Sequence, residues 1–233
     1  MEFELQPLIE VQGLSYKYED GTVALAGIDF QLMPGETVVL FGANGSGKTT
    51  FILHLNGLLE GEGEVTICGM PLLPKNLVEI RNKVGMVFQD SDEQLFMPSV
   101  LEDVAFGPLH QGMSSEQAKA VALQALSSVG MDQIAGKAPY HLSAGEKKRV
   151  AIAGVLAMNP EILVLDEPTT VLDPPGQRDL IELLRGLRQA KVIVTHDTRF
   201  AAALASRAVF FEKGKIRGTG EVEQVIDQFN WRP

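Results

Sequence analysis

Residues 42–49 have the types and the spacing of a phosphate-binding loop. They match the pattern G-x-x-x-x-G-K-[ST], in which small residues let successive backbone N–H groups close around phosphate oxygens. Lys48 would reach the β- and γ-phosphates of a nucleotide, and the hydroxyl of Thr49 would coordinate the Mg²⁺ that bridges them. The residues expected to bind nucleotide here are Gly42, Ala43, Asn44, Gly45, Ser46, Gly47, Lys48, Thr49 and Thr50.

Two carboxylates follow a second apolar run, residues 162–165. Phosphoryl transfer to water requires a bound metal ion, a positioned water molecule and stabilisation of charge around the γ-phosphate. Asp166 has the place of a carboxylate that coordinates Mg²⁺. Glu167 would polarise the attacking water, because a second carboxylate nearby favours the basic role. An Asp-Glu pair after a strand is also common at helix caps, so this interpretation depends on the phosphate loop.

Gln89 and His196 each follow a further apolar run, residues 84–88 and 191–195. Gln89 could contact both the metal ion and a moving subdomain, and His196 could hydrogen-bond the γ-phosphate without titrating heavily. A lone glutamine at such a position is weak evidence for a site, and a lone histidine after a strand more often has a structural role. The remaining histidines show no metal-ligand spacing, so we predict no metal site built from histidines; they are His54, His110 and His141.

A second anion-binding helix start is predicted at Ser143, Ala144 and Gly145. It lies far beyond Lys48 in the sequence, after a whole helical segment. One phosphate loop and a second helix start that attracts phosphate suggest a site that is completed across a dimer.

An α/β fold must position these residues. Strands alternating with helices imply a mainly parallel sheet with helices on both faces, and short alternating segments near the N terminus predict an antiparallel β-subdomain. Tyr18, beside a turn, could stack on a base, although such a tyrosine often only packs. We predict one domain over 1–233, with the core and β-subdomain at 1–89 and 159–233 and a helical subdomain at about 90–158. Strands are predicted at 9–14, 28–32, 38–41, 61–67, 84–88, 162–167, 191–195, 208–212 and 215–218, helices at 51–55, 99–106, 114–129, 147–158 and 177–189, and a short acidic tail at the end.

The composition limits the possible partners. The 233 residues carry 20 Lys or Arg and 30 Asp or Glu, a net charge of −10. Such a charge repels phosphodiester backbones and no basic block appears, so nucleic acid is not an expected partner. Cys68 is the single cysteine, which excludes an intrachain disulfide. We see no signal peptide and no apolar run of about 18 residues, so we expect a cytoplasmic protein whose membrane role is peripheral.

Taken together, these motifs resemble the ATP-binding subunit of an ABC transporter, and the resemblance covers essentially the whole chain. The matching motifs are the Walker A loop 42–49, Gln89 of the Q-loop, the signature 142–146, the Walker B strand 162–166, Glu167, the D-loop 171–173 and the switch residue His196.

The resemblance implies ATP as the nucleotide and Mg²⁺ as the metal ion. It also implies a head-to-tail dimer of two copies, with each ATP between one Walker A loop and the other copy's residues 143–145. Glu167 would be the general base, His196 the γ-phosphate contact and Gln89 a catalytic residue that also meets the metal. Tyr18 would stack on adenine, and Asp173 would link the copies.

Two departures from the family pattern affect the expected turnover. The usual signature reads Leu-Ser-Gly-Gly-Gln, whereas Ala144 and Glu146 stand here for a Gly and the Gln. Ala144 narrows the allowed backbone angles, and Glu146 adds negative charge near an anion unless it points away. We therefore expect an intact site with weak basal turnover. The D-loop also departs, because Val171 and its neighbours replace a version with smaller residues.

A narrower resemblance lies in residues 87–96 and 102–108, which are similar to the ATPases of energy-coupling factor importers, especially the cobalt and nickel branch. There the ATPase drives an integral membrane T-component and a substrate-binding S-component from the cytoplasmic face of the membrane. The acidic residues Asp90, Asp92 and Glu93 could receive arginines from a coupling helix of the membrane partner, or could form a solvated loop.

Three other functions are left open by the sequence. The first is the motor of a vitamin-importing relative, and the second is a soluble ABC ATPase that acts on DNA or ribosomes. The third is a P-loop kinase or small GTPase, although the guanine-reading Asn-Lys-x-Asp of a GTPase is absent from the sequence. The transported substrate cannot be deduced, because this subunit would not touch it.

Overall fold

The computed structural model describes residues 6–232. Within this range the chain forms a six-stranded sheet, a four-stranded sheet and eight α-helices, which confirms the predicted α/β fold class. The strands are β1 (Ile9–Lys17), β2 (Val23–Leu32), β3 (Thr37–Phe41), β4 (Glu62–Ile67), β5 (Met70–Pro71), β6 (Val84–Val87), β7 (Ile162–Asp166), β8 (Ala190–Val194), β9 (Arg207–Glu212) and β10 (Lys215–Gly220).

The six-stranded sheet has the order β10, β9, β3, β8, β7, β6. Its pairs are parallel except for the hairpin between β9 and β10. Strands β6, β7 and β8 are buried along their whole length. Helices alone cover one face of this sheet, whereas the other face packs against both helices and the antiparallel sheet, which differs from the predicted cover of helices on both faces. The carboxyl ends of β3, β7 and β8 therefore meet at one edge, where the polar residues that follow them come together.

The four-stranded sheet is antiparallel, with the order β2, β1, β4, β5. Its inner residues include Ile9, Val11 and Ile28, which pack with Leu40 of β3 and Phe51 into one hydrophobic cluster. This packing fixes the antiparallel sheet against the central strands. The helices are α1 (Lys48–His54), α2 (Leu77–Lys83), α3 (Val100–His110), α4 (Ser115–Ser128), α5 (Ala144–Ala157), α6 (Pro174–Gly186), α7 (Thr198–Leu204) and α8 (Val222–Gln228).

Helices α3, α4 and α5 pack on one another between β6 and β7 in the chain, and α5 also packs on β6. The predicted capping box is present, because the Ser114 hydroxyl accepts from the N–H of Gln117 and the Gln117 side chain accepts from the N–H of Ser114. The predicted helical segment is thus a three-helix layer attached to the sheet through α5. That residues 90–158 act as a separate subdomain remains a prediction.

Some boundaries differ from the prediction. Helix α5 begins at Ala144 rather than at residue 147, because Ser143 caps it. Helix α6 spans Pro174–Gly186 rather than 177–189, because Asp173 caps it and prolines take its first positions. The sequence pattern does not predict α2, α7 or α8, whose seven residues each are too few to show a helical period. Helix α8 lies in the segment expected to be an acidic tail.

Candidate functional site

The phosphate loop connects β3 to α1 and depends on glycine at its close approaches. Gly42 has φ +140°, and a Cβ there would lie 2.2 Å from the carbonyl oxygen of Phe211. Gly47 precedes α1 with φ +107°, and a Cβ there would lie 2.5 Å from the carbonyl oxygen of Ala24. Side chains are therefore excluded where the backbone must approach its neighbours and leave its N–H groups open to a ligand.

Lys48 is buried at the first position of α1. Its ammonium donates to the carbonyl oxygens of Gly42 at 2.5 Å and Ala43 at 3.0 Å, which holds the charge at the loop. Burial lowers the pKa of Lys48, and the negative charges of Glu167 and Asp166 oppose that shift. The cation is thus placed between the loop and the two carboxylates at the end of β7.

Thr49 at the start of α1 and Asp166 at the end of β7 bring two candidate oxygen ligands together. The Thr49 hydroxyl donates to Asp166 Oδ2 at 3.2 Å, and Asp166 is 4% exposed. Burial raises the pKa of Asp166, while the Thr49 hydrogen bond and the charges of Lys48 and Lys148 oppose the rise. Hard oxygen donors of this kind suit Mg²⁺, which is usually bound by one or two carboxylates together with phosphate oxygens and several water molecules.

Glu167 has an unusual backbone and an unsatisfied oxygen. Its φ is +44°, and its Oε2 accepts from the backbone N–H of His196 at 3.3 Å. Its Oε1 is buried and makes no hydrogen bond with any residue from 6 to 232, although His196 Nε2 lies 3.2 Å away. Burial raises the pKa of Glu167, and the charge of Asp166 adds to the rise. A buried carboxylate with a free oxygen and a raised pKa has the properties of a general base.

His196 follows β8 and its side chain is 43% exposed. Burial lowers the pKa of this imidazole, and the charge of Lys48 lowers it further. The ring is therefore mostly neutral at physiological pH and can donate one hydrogen bond without adding a full charge.

Gln89 reaches the same site from the end of β6, and its backbone is held from the signature helix α5. Lys148, which is 1% exposed, donates to the carbonyl oxygens of Phe88 at 2.9 Å and Gln89 at 2.7 Å. Gln94 also accepts from the N–H of Phe88 at 3.0 Å. The position of Gln89 is thus tied to α5 by a buried cation.

Tyr18 lies directly after β1 at the rim of the site and is 40% exposed. Its hydroxyl shares a 2.9 Å hydrogen bond with the hydroxyl of Thr50, and the ring of Tyr16 packs edge-on against it at 5.0 Å. These contacts fix the ring while leaving part of it accessible for stacking on a planar ligand.

These residues enclose a cavity of about 670 Å³. Most of the predicted site residues line it; those that do not are Gly42, Ala43, Ser143, Ala144, Gly145 and Asp173. Residues from both sheets and the loop thus meet in one space. The lining residues are Tyr18, Thr22, Val23, Ala24, Asn44, Gly45, Ser46, Gly47, Lys48, Thr49, Thr50, Gln89, Asp166, Glu167, Thr170, Val194 and His196.

The side chain of Glu146 in the signature segment folds back onto Ser143. Its Oε2 accepts from both the N–H and the hydroxyl of Ser143, each at 2.8 Å. The Ser143 hydroxyl in turn accepts from the N–H of Glu146, which completes a capping box. Asp173 caps α6 through a 2.9 Å bond from the N–H of Gly176. Both segments thus have roles within their own chain.

Two residues next to the site were missed by sequence reasoning. Lys148 resembled a surface lysine on a helix, and only its burial under the Q-loop distinguishes it. Trp231 lies with its ring centroid 5.7 Å from that of His196, in a segment without a motif. The capping box at Ser143 was also missed, although the pattern Ser-x-x-Glu could have revealed it.

The strand, phosphate loop, helix and strand-end carboxylates define a P-loop nucleoside triphosphatase. The profile of the ABC transporter family matches residues 25–170. The chain belongs to this family, as an ATP-hydrolysing subunit of the energy-coupling factor type. The expected resemblance is thereby confirmed.

Relatives from bacteria and archaea support this assignment. A putative ABC transporter ATP-binding protein of Streptomyces coelicolor is 50% identical over 219 residues, which cover 94% of this chain and 84% of the relative. The energy-coupling factor transporter ATP-binding protein EcfA of Methanocaldococcus jannaschii is 46% identical over 225 residues, covering 94% of this chain and 81% of the relative.

Solved structures agree with the fold. The structure of cbiO1 from Clostridium perfringens, described as part of the ABC transporter complex cbiONQ, has a TM-score of 0.85 at 35% identity and covers 96% of this chain and 92% of its own. A dimeric bacterial ABC transporter cassette has a TM-score of 0.83 at 31% identity, covering 92% of this chain and 98% of its own. Among residues 6–232, no helix is both long enough and apolar enough to cross a membrane.

Proposed function

We propose that the cavity binds ATP with Mg²⁺ and that Glu167 activates the water that attacks the γ-phosphate. The observation that carries this proposal is the buried, unpartnered Oε1 of Glu167 beside the pair formed by Thr49 and Asp166. Lys48 and the loop N–H groups would hold the phosphates, with His196 and Gln89 at the γ-phosphate and Tyr18 against adenine. Mg²⁺ held by Thr49, Asp166 and Gln89 would neutralise charge on the β- and γ-phosphates.

The site is completed, in this proposal, by a second copy arranged head to tail. Ser143 and Ala144 are exposed and outside the cavity, at the start of a fourteen-residue helix whose N–H groups attract anions. Each ATP would lie between the Walker A loop of one copy and residues 143–145 of the other, with Asp173 near the interface. A related cassette whose structure is dimeric supports this arrangement.

A groove beside the Q-loop is the proposed contact with the integral membrane T-component. It has a volume of about 390 Å³ and is lined by both apolar and polar residues. Asp103 is 9% exposed there, and its Oδ1 accepts from the N–H groups of Phe96 and Met97, each at 3.0 Å. Its Oδ2 is buried without a hydrogen-bond partner in the described chain, and burial raises the pKa of this carboxyl. A coupling helix carrying an arginine would supply the missing partner.

This placement revises the role given to the acidic loop residues. Asp92 forms an ion pair with Lys147 at 2.5 Å, and the Asp90 side chain accepts from the N–H of Asp92. Asp92 is therefore engaged within the chain, and Asp103 is the better candidate for an arginine of the partner.

The transported substrate is proposed to be cobalt or nickel, delivered by an S-component, with this subunit acting from the cytoplasmic face of the membrane. The support is the similarity of residues 87–96 and 102–108 to that branch and the structural likeness to cbiO1. A vitamin-importing energy-coupling factor transporter is the second candidate, because the EcfA relatives carry no metal in their names.

The test is purification of the native membrane complex and uptake of Co²⁺, Ni²⁺ or a vitamin into vesicles. Glu167→Gln keeps the shape of the side chain while removing the base, so uptake should stop while ATP still binds. Metal uptake that continues in Glu167→Gln would contradict the role of Glu167. Purification without any membrane protein would favour a soluble ABC ATPase.

The docking groove is tested separately. Asp103→Asn should reduce co-purification of the membrane partner, because the buried charge that attracts arginine is lost, while Asp92→Asn should not. If the membrane partner co-purified with Asp103→Asn but not with Asp92→Asn, the acidic loop residues would be the contact with the coupling helix instead of Asp103.

A further inference from the structure

The C-terminal segment reaches the catalytic site through one aromatic residue. Two residues after the end of α8, Asn230 has φ +50°, and its N–H donates to the carbonyl of Asp227 at 3.2 Å. The N–H of Trp231 donates to the carbonyl of Ile226 at 2.8 Å. These two bonds form a Schellman motif, which reverses the chain and directs Trp231 back onto the domain.

Trp231 is held there by an aromatic cluster. Its ring packs edge-on against Phe210 of β9, with centroids 5.3 Å apart and planes at 79°. Phe210 is 7% exposed and stacks in parallel on Phe229 at 4.1 Å. Since β9 pairs with β3, the cluster lies beside the strand that leads into the phosphate loop. The indole is therefore fixed by both local hydrogen bonds and packing.

The ring of His196 lies against this fixed indole. The centroids are 5.7 Å apart and the planes are inclined by 34°. Within residues 6–232 neither ring nitrogen of His196 makes a hydrogen bond, and Glu167 Oε1 lies 3.2 Å from Nε2. With its side chain 43% exposed, the imidazole has few other constraints on its rotation. Contact with Trp231 restricts the ring while its Nε2 edge stays near Glu167.

We propose that Trp231 is a positioning residue for hydrolysis, which holds the imidazole of His196 toward the γ-phosphate. The inference rests on the proposed contact between His196 and the γ-phosphate. Without the indole, the imidazole would sample orientations that do not point toward the γ-phosphate. The variant would therefore have a lower kcat with unchanged ATP binding.

The first experiment compares steady-state ATP hydrolysis by purified full-length variants. Trp231→Leu should lower kcat about tenfold with KM for ATP unchanged, because misplacement of a reacting group slows the chemical step. Trp231→Phe, which restores a ring, should recover most of the rate. Phe106→Leu is the matched control, since it removes an aromatic ring that packs against a different histidine, His110, outside the nucleotide cavity. Equal loss of kcat in Trp231→Leu and Phe106→Leu would overturn the proposal.

A double-mutant cycle separates this proposal from the role of His196 itself. His196→Ala alone should be slow, and Trp231→Leu added to it should cause no further loss. Full activity of His196→Ala would refute the proposed γ-phosphate contact, whereas a further loss in the double variant would refute positioning through His196.

The contact between Trp231 and His196 can be followed by fluorescence, because Trp231 is the single tryptophan of the chain. Its fluorescence should change in His196→Ala, since the adjacent imidazole is removed. Addition of Mg·ATP should alter the emission of the wild-type protein more than that of His196→Ala. Identical emission of the two proteins, with and without ATP, would overturn the contact even if a variant of Trp231 failed to fold.

Discussion

At the scale of single residues, Glu167 is both buried and close to a second carboxylate, Asp166. A carboxylate in this environment binds its proton more tightly than an exposed one, because desolvation and the nearby Asp166 both disfavour the ionised form. Lys48 partly offsets this effect. The consequence for hydrolysis is a base that is stronger than an ordinary glutamate but is lost by protonation at a higher pH.

We therefore expect the rate of hydrolysis at saturating ATP to fall, on acidification, at a pH above the ordinary glutamate pKa of about 4.3. The proton on Glu167 removes the base, and protonation of Asp166, whose pKa is also raised, acts in the same direction. The measurement is a pH–rate profile, with far-ultraviolet circular dichroism at each pH as the control for folding. A rate that stays constant down to the range of an exposed glutamate would show that neither carboxylate controls the step.

Val171 is a second residue of interest, because its backbone conformation is strained. It has φ +77° and is 59% exposed, a conformation that is strongly disfavoured for a β-branched side chain. The position of this strained residue, two residues before Asp173, is consistent with strain stored near a functional site.

Val171→Gly should raise the free energy of unfolding by about 1 kcal/mol, because glycine adopts this backbone without strain. Urea unfolding monitored by circular dichroism measures the change, with Val171→Ala as a comparison that keeps a Cβ and relieves less strain. Destabilisation by Val171→Gly would mean that contacts of the valine side chain outweigh the backbone strain.

At the scale of elements, helix α5 links the signature to the Q-loop. Its first turn carries Ser143 and Glu146 in a capping box, and its next turn places Lys148 under the carbonyl oxygens of Phe88 and Gln89. Burial lowers the pKa of Lys148, while the charges of Asp166 and Asp90 favour the ammonium. Movement of α5 must therefore move the backbone of Gln89.

Lys148→Met should preserve much of the packing but release the Q-loop, since the two carbonyl groups lose their buried donor at a cost of about 1–3 kcal/mol. We expect hydrolysis to slow about tenfold through misplacement of Gln89. Faster amide exchange in residues 88–94 would accompany the loss. Lys147→Met is the control, because it removes an ion pair with an Asp92 that is 67% exposed and should change stability by less than about 1 kcal/mol. Wild-type kinetics for Lys148→Met would contradict this link.

At the scale of the whole molecule, the proposed dimer requires the signature segment to meet the ATP of the other copy. In the single chain, Glu146 occupies both the N–H and the hydroxyl of Ser143, and the Ser143 contacts lower the pKa of Glu146. A phosphate would have to compete with this carboxylate and would be repelled by its charge. The expected weak basal turnover remains a prediction, now with a specific physical cause.

Glu146→Gln keeps a side chain that can cap the helix but removes the charge. We expect this variant to dimerise at a lower ATP concentration than the wild type in a background in which Glu167→Gln prevents hydrolysis. Light scattering after size-exclusion chromatography measures the dimer, and Glu116→Gln, on the first turn of α4, is the matched control for a lost surface charge. An unchanged or weaker dimer would exclude competition by Glu146.

The sequence by itself determined the phosphate loop, the strand-end residues Asp166, Glu167 and His196, and the alternation of strands and helices. These features are local, since motif spacing and apolar periodicity act over a few neighbouring residues. Only the tertiary structure brought Lys148 under the Q-loop, Trp231 against His196 and Asp103 into a groove with an unpartnered oxygen. Those relations join residues far apart in the chain, and their energies arise from burial and from missing or supplied hydrogen-bond partners, which a linear pattern does not contain.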